Sequence, residues 1–393
     1  MTSPTALPAG FRAHAGSIGI KDATADFTVV ASERPAVAVG MYTKSRFAGC
    51  SVRLSREATN DQQLSAIAVV SKNANVATGP EGEANAREIV EAVAHHLEVD
   101  ANDVAIASTG VIGRQYPMDL VRNHLETLGA ESAWEIRDAD SVATAIMTTD
   151  THPKVASAEV ASEGGAAARI VGVAKGVGMI EPDMATMLTF IFTDAEIAPT
   201  ELDPIVRRVI DRTFNAVSID TDTSTSDTAI VMASGEAGAV DLRAFEAAMH
   251  AVALELTKMI ASDGEGAETL IEVRVDTARD TDQARRVAKV IVNSPLVKTA
   301  VHGADPNWGR VAMAIGKCSD DLDIDQDIVA IRFGTTEVYP TLLEEQALEE
   351  LSGYLAGDEV LIHVSLGIGD GEFTAYGCDL TDGYVRINAD YTT

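Results

Sequence analysis

The chain of 393 residues predicts a mixed α/β fold built from layers of helix and sheet. Three observations carry this. Strand-like and helix-like runs alternate along the whole length, which favours helices packed on sheets. Several strand-like runs are apolar throughout and rich in Val and Ile, the mark of strands buried on both faces. Hydrophobic residues make up 46% of the chain against 23% charged, enough for a full core and evidence against disorder as the main state.

The elements follow in order. Strands are predicted at Phe27–Ala31, Ala36–Tyr42, Ala66–Val70, Val104–Ala107, Arg169–Ala174, Thr186–Phe192, Ala229–Ala233 and Leu270–Val275. Helical spacing is clearest for Ile89, Val93 and Leu97, and again for Ile205 and Val209, with Ile210 and Phe214 from the neighbouring row. The stretch Leu242–Ser262 carries Phe245, Met249, Val252, Leu256 and Ile260 as one apolar stripe. From about Thr281 the mixture repeats on a smaller scale. A helix over Asp282–Val292 is followed by strands near Ile328–Phe333 and Val360–Val364, with a Leu/Glu-rich helix, Leu342–Leu355, between them. The length suits two to three compact units at roughly 150 residues each. A C-terminal α/β subdomain is expected over about 281–393, although no Pro/Gly/Ser-rich linker marks its start.

Charge and motifs exclude several classes of function. The chain holds 60 Asp and Glu against 30 Lys and Arg, a net charge of −30. Such a surface repels phosphate backbones and anionic lipid, so neither nucleic acid nor membrane is an expected partner. No apolar run reaches the ~18 residues of a membrane helix, and the N-terminus lacks the apolar core of a secretory signal. Cys50, Cys318 and Cys378 are few and far apart, which suits a reducing cytoplasm and gives neither a disulfide framework nor a zinc site. There is no P-loop, and Gly176-Val-Gly178 continues without the third glycine of a dinucleotide fingerprint. The acidic runs at Asp220 and Asp321 start like calcium loops, but Thr225 and Gln326 stand where the turn needs Gly. Both read as hydrogen-bonded turns. No metal and no cofactor is implied.

One segment stands apart: Lys175-Gly-Val-Gly-Met-Ile-Glu-Pro-Asp-Met-Ala185-Thr186, followed by an apolar strand. One reading is a glycine-rich turn feeding the core, with Thr186 capping or packing. The other makes Thr186 a nucleophile. A threonine hydroxyl is weak unless a base takes its proton. A cut just before Thr186 would free an α-amine on the same residue, with a reference pKa of about 7.7–8.0, near the pH at which a general base works. The cut can be self-made, by attack of Oγ on the carbonyl of Ala185, whose small side chain leaves room. Such chemistry needs donors for the developing oxyanion. Thr109 and Gly110, in the run Ala107-Ser-Thr-Gly-Val-Ile-Gly113, offer a hydroxyl and an unhindered N–H. Their alternative is a strand-to-helix turn with Thr109 as N-cap. From the residues alone Glu265 reads as a solvated acidic turn and Lys175 as a surface lysine at a strand end.

These residues resemble the ornithine acetyltransferase, or glutamate N-acetyltransferase, family of arginine biosynthesis. The shared runs span nearly the whole chain: Asn73-Ala-Asn75 with Thr78-Gly79, Ser108–Gly113, Met147–Thr151, Lys175–Leu188, Asp263–Gly266, Val297–Ala300, Asp305–Arg310, and Tyr384, Asn388 and Thr393 at the end. Arg114–Pro117 and Ser218–Asp222 add a likeness to the paralogue of clavulanic-acid gene clusters.

The resemblance implies an αββα sandwich of the self-cleaving N-terminal-threonine type. It implies scission between Ala185 and Thr186, giving an α chain of 1–185 and a β chain of 186–393 in a heterotetramer of two copies each. It makes Thr186 the nucleophile and Thr109 and Gly110 the oxyanion hole. It places Thr148, Lys175, Thr186, Glu265, Asn388 and Thr393 at substrate-binding positions. The implied reaction moves acetyl from N2-acetyl-L-ornithine to L-glutamate by a ping-pong route. An aminopeptidase or amidase with the same N-terminal threonine is the rival of related architecture.

Overall fold

Strands that are apolar on both faces need a layer on each side, and this chain supplies them by folding one sheet over on itself. The computed structural model describes residues 5–20, 24–163, 165–181, 187–341 and 343–390. The first part runs β1 (Phe11–Gly16), β2 (Phe27–Tyr42), α1 (Cys50–Ala58), β3 (Gln63–Val70), α2 (Gly79–Leu97), β4 (Val104–Ser108), α3 (Met118–Leu125), α4 (Ala139–Ile146), β5 (Lys154–Ala161), β6 (Ala167–Lys175), β7 (Leu188–Glu196), α5 (Pro199–Arg212), β8 (Thr228–Ala239) and α6 (Leu242–Ser262). Its eight-stranded sheet has the order β4-β3-β2-β8-β7-β6-β5, with β1 on β2.

The fold-over happens in β2, which is 16 residues long. Its first half pairs with β1 and β3, and its second half, Val37 to Tyr42, pairs with β8. The register shifts between Ala31 and Ala36, where Glu33, Arg34 and Pro35 are exposed. Pro35 has no N–H to give a ladder and suits that bulge. The two strands expected at Phe27–Ala31 and Ala36–Tyr42 are thus the two halves of one bent strand.

Successive side chains leave a strand on opposite faces. Val30, Ile67, Val69 and Ala105 therefore point inward and share one core with Val171, Phe190, Phe192 and Met232 of the other half. Phe11 of β1 meets Phe192 of β7 with ring centroids 5.3 Å apart, although the two strands do not pair. Val29, Ala68 and Ile106 point outward against Leu54 of α1 and Ile89 and Val93 of α2. Ile170, Ile191 and Val231 point outward on the other side, under α5 and α6. The layers are helix, sheet, sheet, helix. Asp241 caps α6 by accepting the Ala244 N–H, and its predicted stripe from Phe245 to Ile260 is buried.

The remainder runs β9 (Leu270–Ala278), α7 (Thr281–Val292), α8 (Pro295–His302), α9 (Trp308–Ile315), β10 (Ala330–Phe333), β11 (Thr336–Tyr339), α10 (Glu345–Leu355), β12 (Glu359–Ser365), β13 (Gly371–Cys378) and α11 (Asp382–Asp390). It forms a five-stranded sheet, β11-β10-β12-β9-β13, with α7 laid on β9 and β13. This sheet begins at Leu270, ahead of residue 281. β9 reads like the strands before it, and its parallel partner β12 lies far along the chain, so its change of sheet leaves no local mark. One continuous core joins α6 to both sheets, which accounts for the missing linker. The helix expected from Leu342 starts at Glu345, and Leu342 lies outside the described residues. Phe214 is buried in a short 3-10 turn beyond the end of α5.

Candidate active site

Segments far apart in the chain converge on one cavity of about 420 Å³. Strand register places it. Leu188 opens β7 between Lys175 of β6 and Thr228 of β8. The Thr228 N–H donates to the Met187 carbonyl at 3.0 Å, and Met187 and Leu188 both line the cavity. Ala185 and Thr186 lie outside the described residues, as does Thr393. Thr186 is bonded directly to Met187, so the chain enters β7 at the cavity wall.

Thr109 and Gly110 line the cavity from the end of β4. The Thr109 N–H donates to the Val70 carbonyl at 3.1 Å, and no helix starts until Met118, so Thr109 is not an N-cap. Gly110 has φ of +128°, and a Cβ there would stand 2.2 Å from the Lys72 carbonyl carbon and 2.6 Å from the Asn73 nitrogen. Both neighbours are backbone and cannot rotate away. Among the described residues, neither the Thr109 hydroxyl proton nor the Gly110 N–H meets an acceptor. Gly110→Ala must therefore displace the loop. On the oxyanion role and the acetyl transfer that the resemblance implies, it should lower the rate by at least the 10²–10³ typical of one lost oxyanion donor, in a steady-state assay on protein that still folds by circular dichroism.

Lys175 ends β6 and is buried. Its Nζ donates to Thr109 Oγ1 at 3.2 Å. Burial pulls its pKa below the ordinary lysine value, and Lys154 adds to this, while Asp150, Asp227 and Glu265 hold the proton on. Behind it lies a buried charge cluster. Lys154 is wholly inaccessible and donates to Asp150 Oδ1 at 2.7 Å and to Asp263 Oδ2 at 2.6 Å. Asp150 also accepts the N–H groups of Gly176 at 2.8 Å and Thr148 at 3.1 Å. Burial pushes the Asp150 carboxyl up, but Lys175, Lys154 and the Gly176 N–H outweigh it and leave its pKa below the usual carboxylate value. Asp263 accepts the Thr151 N–H at 3.1 Å and the Thr151 hydroxyl.

The turn after Lys175 is held from outside. Met179, at φ 57°, and Ile180 donate their N–H groups to Asp220 at 2.6 and 2.7 Å. The Glu181 N–H donates to the Asp222 carbonyl at 2.8 Å, and Asn293 Nδ2 donates to Glu181 Oε2 at 2.9 Å. The acidic run at Asp220 thus secures the approach to the Ala185–Thr186 bond, and Asp321 is taken up by Arg279 and Arg286. Both behave as the turns that the sequence predicts.

Glu265 faces the cavity from the turn between α6 and β9. It accepts Thr149 Oγ1 at 3.2 Å and Asn388 Nδ2 at 2.8 Å, while its own N–H donates to the Val177 carbonyl. Gly266 has φ of +72°, and a Cβ there would stand 2.4 Å from the Tyr384 nitrogen. That close approach lets α11 lie on the turn and bring Asn388 to the cavity.

The structure therefore gathers Thr109, Gly110, Thr148, Lys175, Glu265 and Asn388 around one space. Sequence reasoning missed Asp150, Lys154, Thr149 and Asp227. Asp150 and Thr149 stood inside the run Met147–Thr151 without a role, and nothing in the sequence marked Lys154. Asp227 is buried and lines the cavity at the start of β8. The three cysteines are free. No helix among the described residues is long and apolar enough to cross a membrane.

The comparisons agree along the full length. The model of the ArgJ family matches residues 12–393. Glutamate N-acetyltransferase Oat2 of Streptomyces clavuligerus is 59% identical, covering 98% of this chain and 98% of its own. The arginine biosynthesis bifunctional proteins ArgJ 2 of Nostoc sp. and ArgJ of Rhodococcoides fascians are 52% and 51% identical, each over 99% of this chain and over 99% and 95% of their own. The match over residues 12–393 takes in the cavity wall and the C-terminal helix, and the chain belongs to the ArgJ family.

Proposed function

We propose that this protein is a cytoplasmic, self-cleaving glutamate N-acetyltransferase that moves acetyl from N2-acetyl-L-ornithine to L-glutamate. The observation that supports it most is the convergence of Thr109, Gly110, Thr148, Lys175, Glu265 and Asn388 on the cavity where the chain enters β7 at Met187. Scission between Ala185 and Thr186 gives chains 1–185 and 186–393, which associate as two copies of each; the subdomain of about 281–393 belongs to the second. Thr186 Oγ attacks the acetyl carbonyl while its own α-amine accepts the Oγ proton. Thr109 and Gly110 donate to the oxyanion. The C–N bond breaks, and ornithine leaves with the proton. The amine of glutamate then attacks the acetyl-threonine ester and restores the hydroxyl. Glu265 suits the side-chain ammonium of ornithine. Thr148, Asn388 and Thr393 complete the substrate positions, with Lys175 beside them at Thr109. No cofactor or metal takes part.

The test is incubation with N2-acetyl-L-ornithine, with and without L-glutamate. With glutamate, ornithine and N-acetylglutamate should appear in equal amounts. Without it, intact mass should place one acetyl group on the 186–393 chain. Acetate release indifferent to glutamate would instead make the protein an aminopeptidase- or amidase-like hydrolase.

A further inference from the structure

The cation of Lys175 is already directed to a particular acceptor. Its Nζ donates to Thr109 Oγ1 at 3.2 Å, and no other acceptor for it is found among the described residues. A threonine hydroxyl has one proton and two lone pairs. A cationic donor on a lone pair leaves the proton directed elsewhere, and no acceptor among the described residues takes it. Thr109 lines the cavity, so the available direction is toward bound substrate. The backbone beside the ammonium is anchored. Asp150 holds the Gly176 N–H next to it and is locked by Lys154, which Asp263 holds in turn.

We infer that Lys175 polarises the oxyanion hole: its ammonium, donating to Thr109 Oγ1, orients the Thr109 hydroxyl and strengthens it as a donor to the developing oxyanion. The Asp150–Lys154–Asp263 cluster positions that ammonium. This rests on the acetyl-transfer reading above. A hydroxyl that accepts from a cationic donor is itself a stronger donor, because chained hydrogen bonds polarise one another. The effect grows as charge develops on the carbonyl oxygen, so it acts on the transition state more than on bound substrate. A lysine serving only to grip a substrate carboxylate would act on both alike.

The two roles separate in a double-mutant cycle on mature enzyme, with rates normalised to the fraction of chains that begin at Thr186. Lys175→Met should lower kcat by roughly 10–10²-fold, a little under the loss of a whole oxyanion donor, with KM changed less than about 3-fold. In the Thr109→Ala background the same substitution should cost less than about 3-fold, because the hydroxyl it acts through is gone. A rise in KM at unchanged kcat, or penalties that simply multiply, would overturn the inference.

Should Lys175→Met stay uncut, the alkaline limb of kcat decides with Lys175 intact. The groups facing Lys175 are Asp150, Asp227, Glu265 and Lys154. With a pKa lowered by burial, Lys175 loses its cation below the ordinary lysine range as pH rises. The wild type should show a fall in kcat there, and Thr109→Ala should not. A fall of equal depth in both would show that Lys175 acts elsewhere. If the wild type transfers acetyl but the cycle is additive, only the role of Lys175 fails. If the wild type neither cleaves nor transfers, the reading beneath it fails as well.

Discussion

Thr186→Ala should run on a denaturing gel as one lasting band of the full 41.3 kDa chain and transfer no measurable acetyl. The wild type should resolve into two fragments meeting between Ala185 and Thr186. The substitution removes the hydroxyl with the γ-methyl, and in the proposed mechanism that hydroxyl carries both reactions. Without Oγ nothing attacks the Ala185 carbonyl, and without the cut no α-amine is freed to act as base. Thr186 itself lies outside the described residues, so the expectation rests on its neighbours. Met187 and Leu188 line the cavity, and Lys175 and Thr228 flank Leu188 in the sheet. The approach from Lys175 to Glu181 is fixed at both ends by Asp150 and Asp220. N-terminal sequencing of active wild type should read Thr-Met-Leu-Thr-Phe. Active material that never yields that terminus would remove the nucleophile from this account.

Most of the fold was legible because burial on both faces writes itself into composition. The apolar runs at Ala66–Val70, Val104–Ala107 and Phe190–Phe192 became strands buried on both faces, including β4 at the end of the sheet, and the stripe on α6 faced the sheet. β1 and β5 left no such trace. β1 reads FRAHAG and β5 reads KVASAEVA, and both lie at sheet margins where one face is partly open. The bend in β2 was visible only as a break around Pro35, and from sequence a break looks like two strands. The change of sheet at β9 depends on a partner almost ninety residues away and has no local signature.

The site was legible for a different reason. Thr109, Lys175 and Glu265 each had an ordinary structural reading, Asn388 had none of its own, and only their joint resemblance to a family singled Lys175, Glu265 and Asn388 out. What the resemblance could not supply was how these groups connect. Lys175 touching Thr109, Asp150 touching the Gly176 N–H and Asn388 touching Glu265 are contacts across 66, 26 and 123 positions of sequence. A spacing argument has no access to them. Lys154 is the clearest case: a lysine at the start of a strand is by default a solvated residue, yet here it is wholly buried between two carboxylates.

That burial sets the second large effect. Lys154→Met should destabilise the protein by roughly 3–5 kcal/mol, the usual cost of removing one partner from a buried ion pair. Met keeps most of the lysine stem, so little of this is a cavity. The cluster of Lys154, Lys175, Asp150 and Asp263 carries two charges of each sign; without Lys154 it holds an uncompensated negative charge. The pH dependence follows with a definite sign. The wild-type Asp150 carboxyl has a lowered pKa, so its contribution is present above the unfolded value and is lost as pH falls through the folded one. In Lys154→Met the Asp150 carboxylate keeps Lys175 but loses its second cation and that cation's hydrogen bond, so it gains a proton more readily. The stability gap between the two proteins should therefore narrow on acidification. Lys154→Met with Asp150→Asn restores neutrality and should be more stable than Lys154→Met alone, although Asn offers Lys175 no opposite charge and transfer should stay low. Urea unfolding in the uncut Thr186→Ala background measures all of this without interference from maturation. A double variant less stable than the single one would show that the hydrogen bonds of Asp150 to Thr148 and Gly176, rather than charge balance, hold this part of the site together.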